Sequence, residues 1–75
     1  MKAYVLLNKE IGYENTVIQG LQDIAEITNM YLVYGIYDIV IETETRDITE
    51  LNNLIFNKIR KNRYVKGTQT FPVVH

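Results

Sequence analysis

Residues 30–44 read MYLVYGIYDIVIETE, two runs of apolar, β-branched and aromatic residues that meet at Gly35 and Ile36. Glycine at the first of two central loop positions is what a type II′ turn requires, so the stretch predicts a β-hairpin. A two-residue loop also fixes the register of the two strands. The predicted pairs are Tyr34 with Tyr37, Val33 with Asp38, Leu32 with Ile39, and Tyr31 with Val40.

The two faces of this hairpin differ in character because side chains alternate along a strand. One face is apolar or aromatic throughout and carries Met30, Leu32, Tyr34, Tyr37, Ile39 and Ile41. The other face mixes apolar and acidic groups and carries Tyr31, Val33, Asp38, Val40 and Glu42. The first face suits the core of the domain, and the second needs a separate explanation.

Length and composition limit the possibilities. The 75 residues form one domain, residues 1–75, and a chain this short hides only about 60% of the surface that its unfolded form exposes. The chain has no cysteine, and His75 is its one histidine. We therefore expect no disulfide, thiol catalysis, metal site or cofactor, and oligomerisation remains as the source of extra stability. A net charge of -1 argues against direct DNA or RNA binding. The lack of a long apolar run or signal peptide predicts a cytoplasmic protein that does not contact membranes.

The chain alternates between strand and helix patterns. Residues 2–7 are apolar on both faces, as in a central strand, and residues 13–22 follow with helical spacing. A second helix starts after Asp47, where Glu50 completes a capping box, and runs to about Asn62. Its apolar stripe is Ile48, Leu51, Ile55 and Ile59. The last strand, Val65 to Val74, contains Pro72 and therefore belongs at a sheet edge.

The order β-α-β-β-α-β predicts an α+β, ferredoxin-like fold. Right-handed crossovers make the first and third strands of the four-stranded antiparallel sheet central and place both helices on one face. The other sheet face then has no cover within the chain, and its apolar area exceeds what monomers normally expose. We therefore expect a second subunit to cover it in a dimeric α/β sandwich or barrel. The expected contact residues are Tyr4, Leu6, Tyr31, Val33, Val40 and Val74.

Two short motifs then carry a resemblance to a known family. Residues 34–38, YGIYD, are similar to a G-x-Y-D turn, and residues 65–70, VKGTQT, to a V-x-x-T-x-T strand entry. Both motifs, on these elements and at this separation, resemble the effector-binding domain of the Lrp/AsnC transcription regulators, also called RAM. The similarity covers essentially all of the chain. The absence of a preceding helix-turn-helix makes it resemble the stand-alone members of the family.

The resemblance implies a fold, an assembly and a function. Sheets of such domains pack face to face into dimers, which associate into octamers or decamers, and small effectors, typically amino acids, bind between dimers. Full-length Lrp/AsnC regulators are the implied partners, through mixed oligomers. The implied ligand-binding residues lie at the two motifs and are Val33, Gly35, Ile36, Tyr37, Asp38, Thr68 and Thr70.

The chemistry of these residue types suits a free amino acid. Asp38 offers a carboxylate to the α-ammonium, the backbone around Gly35 offers N–H donors, and Thr68 and Thr70 offer hydroxyls on one side of their strand. Plainer interpretations exist for each of them. Asp38 is then a solvated residue beside a turn, the two threonines are strand-favouring residues at a subunit contact, and Tyr34 and Tyr37 are core or interface aromatics.

Four classes of function are compatible with a domain of this pattern. We favour a non-enzymatic, oligomeric sensor of amino acids that modulates transcription regulators. The alternatives are a dimeric ferredoxin-like enzyme of the monooxygenase or isomerase type, or a pure oligomerisation scaffold. The cavity between helices and sheet, where such enzymes hold acid-base groups, receives Val, Ile and Leu here. An RNA-binding sheet would need a basic, aromatic surface that the composition lacks.

Overall fold

The computed structural model describes residues 1–74 and arranges them as a four-stranded antiparallel sheet with two helices. His75 lies outside the described residues. The elements in chain order are β1 (Lys2–Lys9), α1 (Glu14–Leu21), β2 (Ile27–Leu32), β3 (Ile39–Glu44), α2 (Ile48–Leu54), a π-helical turn (Ile55–Ile59) that continues α2, and β4 (Val65–Pro72). The strand order β2-β3-β1-β4 confirms the ferredoxin-like arrangement, with β1 and β3 central and the proline-containing β4 at an edge. Among residues 1–74, no helix has the length and apolar character needed to cross a membrane.

Both helices cover the same face of the sheet. Alternate residues of the central strands point toward the helices and form one buried cluster with residues of α1, α2 and the π-helical turn. The cluster comprises Ala3, Val5, Leu7, Val17, Leu21, Ile39, Ile41, Leu51, Leu54, Ile55 and Ile59. Burying each such side chain contributes about 1.5–3 kcal/mol, so this cluster is the main source of stability within one subunit.

The hairpin has the predicted register but not the predicted turn. Leu32 pairs with Ile39 and Tyr31 with Val40, and the Val33 N–H donates to the Asp38 carbonyl at 2.9 Å. Pairing stops there, because the Asp38 N–H donates to the Leu7 carbonyl of β1 at 3.0 Å. Residues 33–38 therefore form a longer loop.

The predicted type II′ turn and the pairing of Tyr34 with Tyr37 are wrong. Gly35 has a φ of +142°, in the region that favours glycine, but no backbone hydrogen bond joins the two tyrosines in the described chain. The Tyr34 side chain is fully exposed and does not lie on the core face with Ile39.

The start of α2 follows the predicted capping pattern with one change. The Asp47 Oδ1 atom accepts the Glu50 N–H at 2.8 Å, as expected of an N-cap. The Glu50 carboxylate accepts the N–H of Arg46 instead of that of Asp47, and pairs with the Arg46 guanidinium at 2.6 Å. Ile48, the first helical residue, is about half exposed, so the buried stripe begins at Leu51.

The predicted helix end at about Asn62 is also wrong, because the helical hydrogen bonds change before that residue. The Arg60 N–H donates to the carbonyl of Ile55, five residues back, at 2.8 Å. The helix thus ends in a π-helical turn at Ile59.

Removal of the Asp47 cap tests this helix start. Asp47→Ala is expected to lower the free energy of unfolding by about 1 kcal/mol, because the Glu50 N–H loses its acceptor. Urea unfolding at one fixed protein concentration measures the change, and Asp47→Asn, which keeps an acceptor oxygen, serves as the control. Equal unfolding midpoints for Asp47→Ala and the unmodified protein would contradict the capping role.

A second ion pair makes stability depend on pH. The Lys58 ammonium lies 2.8 Å from Glu26 Oε2, and this hydrogen bond, followed by one from the backbone, lowers the pKa of the Glu26 carboxyl. Because the folded pKa is the lower one, the stabilisation is complete above the ordinary value of about 4.5 and is lost as the pH falls through the folded value. Glu26→Gln is expected to flatten the loss of stability below about pH 4.5. Urea unfolding across that pH range measures the free energy of unfolding, and Lys58→Met should also flatten its dependence on pH. An unchanged pH dependence in both variants would contradict a stabilising role of the ion pair between Glu26 and Lys58.

Candidate functional site

Three segments meet at one end of the sheet. Because β1 and β3 are antiparallel, with Leu7 opposite Ile39, the end of β1 lies beside the loop between β2 and β3, and the start of α1 follows nearby. They enclose a cleft of about 400 Å³, a size typical of sites for small molecules. The cleft is lined by Lys9, Glu14, Leu32, Val33, Tyr34 and Asp38.

Asp38 is held firmly at the edge of this cleft. Its Oδ2 atom accepts the backbone N–H of Lys9 at 3.1 Å, and its own N–H is bonded to Leu7. The side chain is half-buried, and its Oδ1 atom takes part in no hydrogen bond among residues 1–74. Asp38 is therefore a fixed carboxylate with one acceptor oxygen free to bind a ligand, rather than a fully solvated residue.

Lys9 and Glu14 supply the other charges of the cleft. The Lys9 Nζ atom lies 3.3 Å from Glu14 Oε1, and the exposed fraction of the side chain is 12% for Lys9 and 41% for Glu14. The pKa of the Glu14 carboxyl is lowered, first by a hydrogen bond from its own backbone N–H and then by the hydrogen bond and charge of Lys9. Glu14 is therefore ionised at neutral pH, and the cleft holds one cation and two carboxylates.

The apolar part of the cleft comes from the β2–β3 region. Leu32, Val33 and Tyr34 line it and are exposed, so their apolar surface is available for contact. Charged groups of both signs beside an apolar wall suit a small zwitterion with an apolar side chain, because each buried charge then finds a partner.

The predicted ligand-binding residues are only partly brought together. Val33 and Asp38 line the cleft. Gly35, Ile36 and Tyr37 lie in the adjoining loop but not in the lining, and Ile36 projects almost fully into solvent. Within one subunit, the loop tip therefore does not contribute to the wall of the cleft.

Thr68 and Thr70 lie elsewhere on the sheet. They pair with Leu7 and Val5 of β1, so both point to the helix-covered side of the edge strand β4, as their spacing predicts. Both are half-buried. Strand β1 separates them from β3, a distance of about 10 Å across two strand spacings, so one subunit does not place them beside Asp38.

Sequence reasoning missed Lys9, Glu14 and Leu32. Lys9 and Glu14 border the loop after β1, and the predicted topology already places that loop at the same end of the sheet as Asp38. A signal was thus present in the order of the strands. A β-bulge between β1 and β4 lies beside Lys9, with Lys66 as the extra residue of β4, and no sequence pattern indicates it.

The sheet face opposite the helices carries the predicted contact surface. Tyr31, Val40 and Leu6 lie side by side across three strands. Tyr4 lies in the next row with Glu42 on one side and Phe71 on the other. We call the apolar members the open face, and they are Tyr4, Leu6, Tyr31, Val40 and Phe71. Val33, which was also predicted there, lies beyond the end of β2 and lines the cleft.

Two details of the open face differ from the prediction. Phe71 was not predicted and is 50% exposed there, whereas Val74, which was predicted, lies beyond the end of β4 and is 96% exposed. Of the two acidic residues assigned to this face, Glu42 is paired with a cation, because the Lys2 ammonium lies 3.6 Å from Glu42 Oε2. The open face is therefore less acidic than its sequence indicates.

Comparison with known proteins gives a single family. The model of the Lrp/AsnC ligand binding domain family matches residues 2–75. The HTH-type transcriptional regulator FL11 of Pyrococcus horikoshii is 32% identical to this chain over 74 residues, which are 99% of this chain and 48% of the regulator. The chain thus spans about half the length of this curated relative.

Solved structures agree with the fold. A hypothetical protein from Pyrococcus horikoshii has a TM-score of 0.88 at 31% identity, and the match covers 99% of this chain and 90% of that one. The transcriptional regulator NMB0573 of Neisseria meningitidis, solved as a complex with L-Met, has a TM-score of 0.92. Its identity is 10%, with 99% of this chain and 49% of that chain covered, so this likeness shows the fold alone.

These findings confirm the resemblance seen in the two motifs. The matched family is described as a ligand binding domain, and the curated relative is a transcriptional regulator. The chain belongs to the Lrp/AsnC ligand-binding domain family.

Proposed function

We propose that this domain senses a free amino acid, which binds in the cleft beside Asp38. The observation that carries the proposal is the state of the Asp38 carboxylate, which is half-buried and fixed by the Lys9 N–H and yet has Oδ1 available. An α-ammonium group is a suitable partner for that oxygen, because a charge-assisted hydrogen bond is roughly twice as strong as a neutral one. The L-Met complex of the Neisseria regulator supports an amino acid as the class of ligand.

The proposal includes assembly through the open face. Its apolar side chains form continuous rows on a sheet surface that no element of residues 1–74 covers. A second copy of the chain packed face to face would bury these rows in a dimer. Octamers or decamers of such dimers would bring the exposed Ile36 and the β2–β3 loop of one dimer close to another, and binding sites between dimers would follow.

The proposed output is regulation of transcription through full-length Lrp/AsnC regulators, in the cytoplasm and without direct DNA contact by this domain. The charge distribution supports this, because the net charge is -1 and, within residues 1–74, five of the eight basic residues pair with carboxylates. Those five are Lys2, Lys9, Arg46, Lys58 and Lys66. Mixed oligomers would transmit the effector signal, since the regulator relative contains a matching region.

A thermal-shift screen of the twenty amino acids tests the proposal, with the mass measured by light scattering on the same samples. A ligand that binds only the folded protein at 100 times its dissociation constant stabilises it by about 2.7 kcal/mol. For a domain of this size, the midpoint should then rise by roughly 10–20 °C. We expect one or a few amino acids to cause such a rise. A panel without any shift, and with an unchanged oligomer, would contradict sensing and favour the scaffold alternative.

A further inference from the structure

Lys9 is an unusual lysine for a small domain. Lysine side chains normally extend into water, but only 12% of this one is exposed, and its ammonium group is directed to Glu14 in the cleft. Its backbone N–H is the same group that fixes Asp38. The cation of the cleft and the free Asp38 oxygen are therefore held in one hydrogen-bonded unit.

The ion pair between Glu14 and the Lys9 ammonium is weak. It lies in the first turn of α1, its side chain is 41% exposed, and it has a second partner in its own backbone N–H. Ion pairs with such exposure contribute little net free energy because water screens them. A carboxylate that enters the cleft from a bound molecule can therefore replace Glu14 at Lys9 with little cost.

We infer that Lys9 binds the carboxylate of the effector, and that Glu14 competes with the effector for Lys9. This inference rests on the proposed function and specifies its ligand. The effector is an α-amino acid with a free carboxylate, whose ammonium binds Asp38 and whose apolar side chain contacts Leu32, Val33 and Tyr34. The corresponding primary amine, which lacks the carboxylate, binds more weakly.

Isothermal titration calorimetry with matched probes tests the inference. The probes are L-leucine, L-methionine and L-phenylalanine, each compared with its decarboxylated amine: isoamylamine, methylthiopropylamine and phenethylamine. In the unmodified protein the amino acid should bind more tightly than its amine. Lys9→Met should remove this preference and weaken amino-acid binding on the order of 10- to 100-fold, the value of a hydrogen bond to a charged group. Lys66→Met, at a surface lysine paired with Glu10 at 3.5 Å and outside the cleft, is the matched control and should keep the preference.

Glu14→Gln tests the same inference from the other side. Removal of the competing carboxylate should tighten amino-acid binding several-fold and leave amine binding unchanged. If circular dichroism shows that Lys9→Met does not fold, the result for Glu14→Gln decides the inference. Unchanged amino-acid affinity in Glu14→Gln, or a preference for the amino acid that survives in Lys9→Met, would overturn the role of Lys9 while the proposed function stands. Failure of all three amino acids to bind the unmodified protein would overturn the inference as well. Amino-acid sensing itself fails if all twenty amino acids are without effect.

Discussion

Val40→Glu is expected to prevent the proposed oligomerisation and to leave folded monomers. Val40 lies on the central strand β3, between Tyr31 and Leu6 in one row of the open face, and points away from the helices. A carboxylate in the middle of a face-to-face contact would lose its hydration without gaining a cation, which costs several kcal/mol per ion. Two copies of the change would meet in each dimer. Sedimentation velocity measures the mass, and circular dichroism should show that the subunit remains folded.

Phe56→Glu is the matched control for this experiment. Phe56 follows α2 on the helix side of the molecule, is exposed, and has the Arg60 guanidinium 5.4 Å from its ring. A glutamate there keeps Arg60 as a partner and should leave the mass unchanged. A Val40→Glu protein that sediments with the mass of the unmodified oligomer would show that the open face is not the contact between subunits.

Asp38→Asn is expected to weaken amino-acid binding by roughly 10- to 150-fold and to leave the fold intact. The loss corresponds to about 1.5–3 kcal/mol, the value of a hydrogen bond to a charged group. Asparagine keeps a side-chain oxygen that can accept the Lys9 N–H, so the β2–β3 loop should retain its position. Calorimetric titration with the amino acid that gives the largest thermal shift measures the affinity.

Asp23→Asn serves as the control for Asp38→Asn, because Asp23 is an exposed acidic residue between α1 and β2 and does not line the cleft. Equal affinity in Asp38→Asn and Asp23→Asn would contradict a role for the Asp38 charge. Loss of folding in Asp38→Asn would show instead that this carboxylate is required by the structure.

The fold was predictable from the sequence because its main determinants are periodic. The alternation of side chains along β1 and β3 predicted which residues are buried, such as Val5 and Ile41. The strand order followed from the handedness of the crossovers. The errors lie where a distant backbone group competes with a local preference. The turn at Gly35 is longer than predicted because Asp38 bonds to Leu7 on another strand, and such a bond leaves no local pattern in the sequence.

The candidate site was less predictable because its residues come from three segments. Val33 and Asp38 lie near the hairpin and could be identified from its motif. Lys9 and Glu14 reach the cleft through the topology, and their ion pair becomes visible only once α1 and β1 are placed in space. Sequence alone could therefore identify the end of the sheet at which we propose that a ligand binds, but not the cation in the candidate site.

The edge strand shows a third kind of limit. In β4, Phe71 faces the open side because it pairs with Tyr4, and the register of an edge strand depends on hydrogen bonds to its one neighbour. Near the C-terminus of the described chain, apolar residues alternate so that both faces of the last strand carry some of them. Nothing in the local sequence indicated which of these two sets faces the open side. The pairing of β1 with β4 decided between Phe71 and Val74.

A crystal structure of the protein grown with the amino acid that stabilises it most tests the central claim directly. We predict that the ligand lies in the cleft lined by Lys9, Glu14, Leu32, Val33, Tyr34 and Asp38, with its ammonium within hydrogen-bond distance of Asp38 Oδ1. A second cleft of about 470 Å³ lies beside β2 and α1, shares Leu32 with the first, and is lined by no charged side chain of residues 1–74. A ligand bound there instead would contradict the assignment of the site.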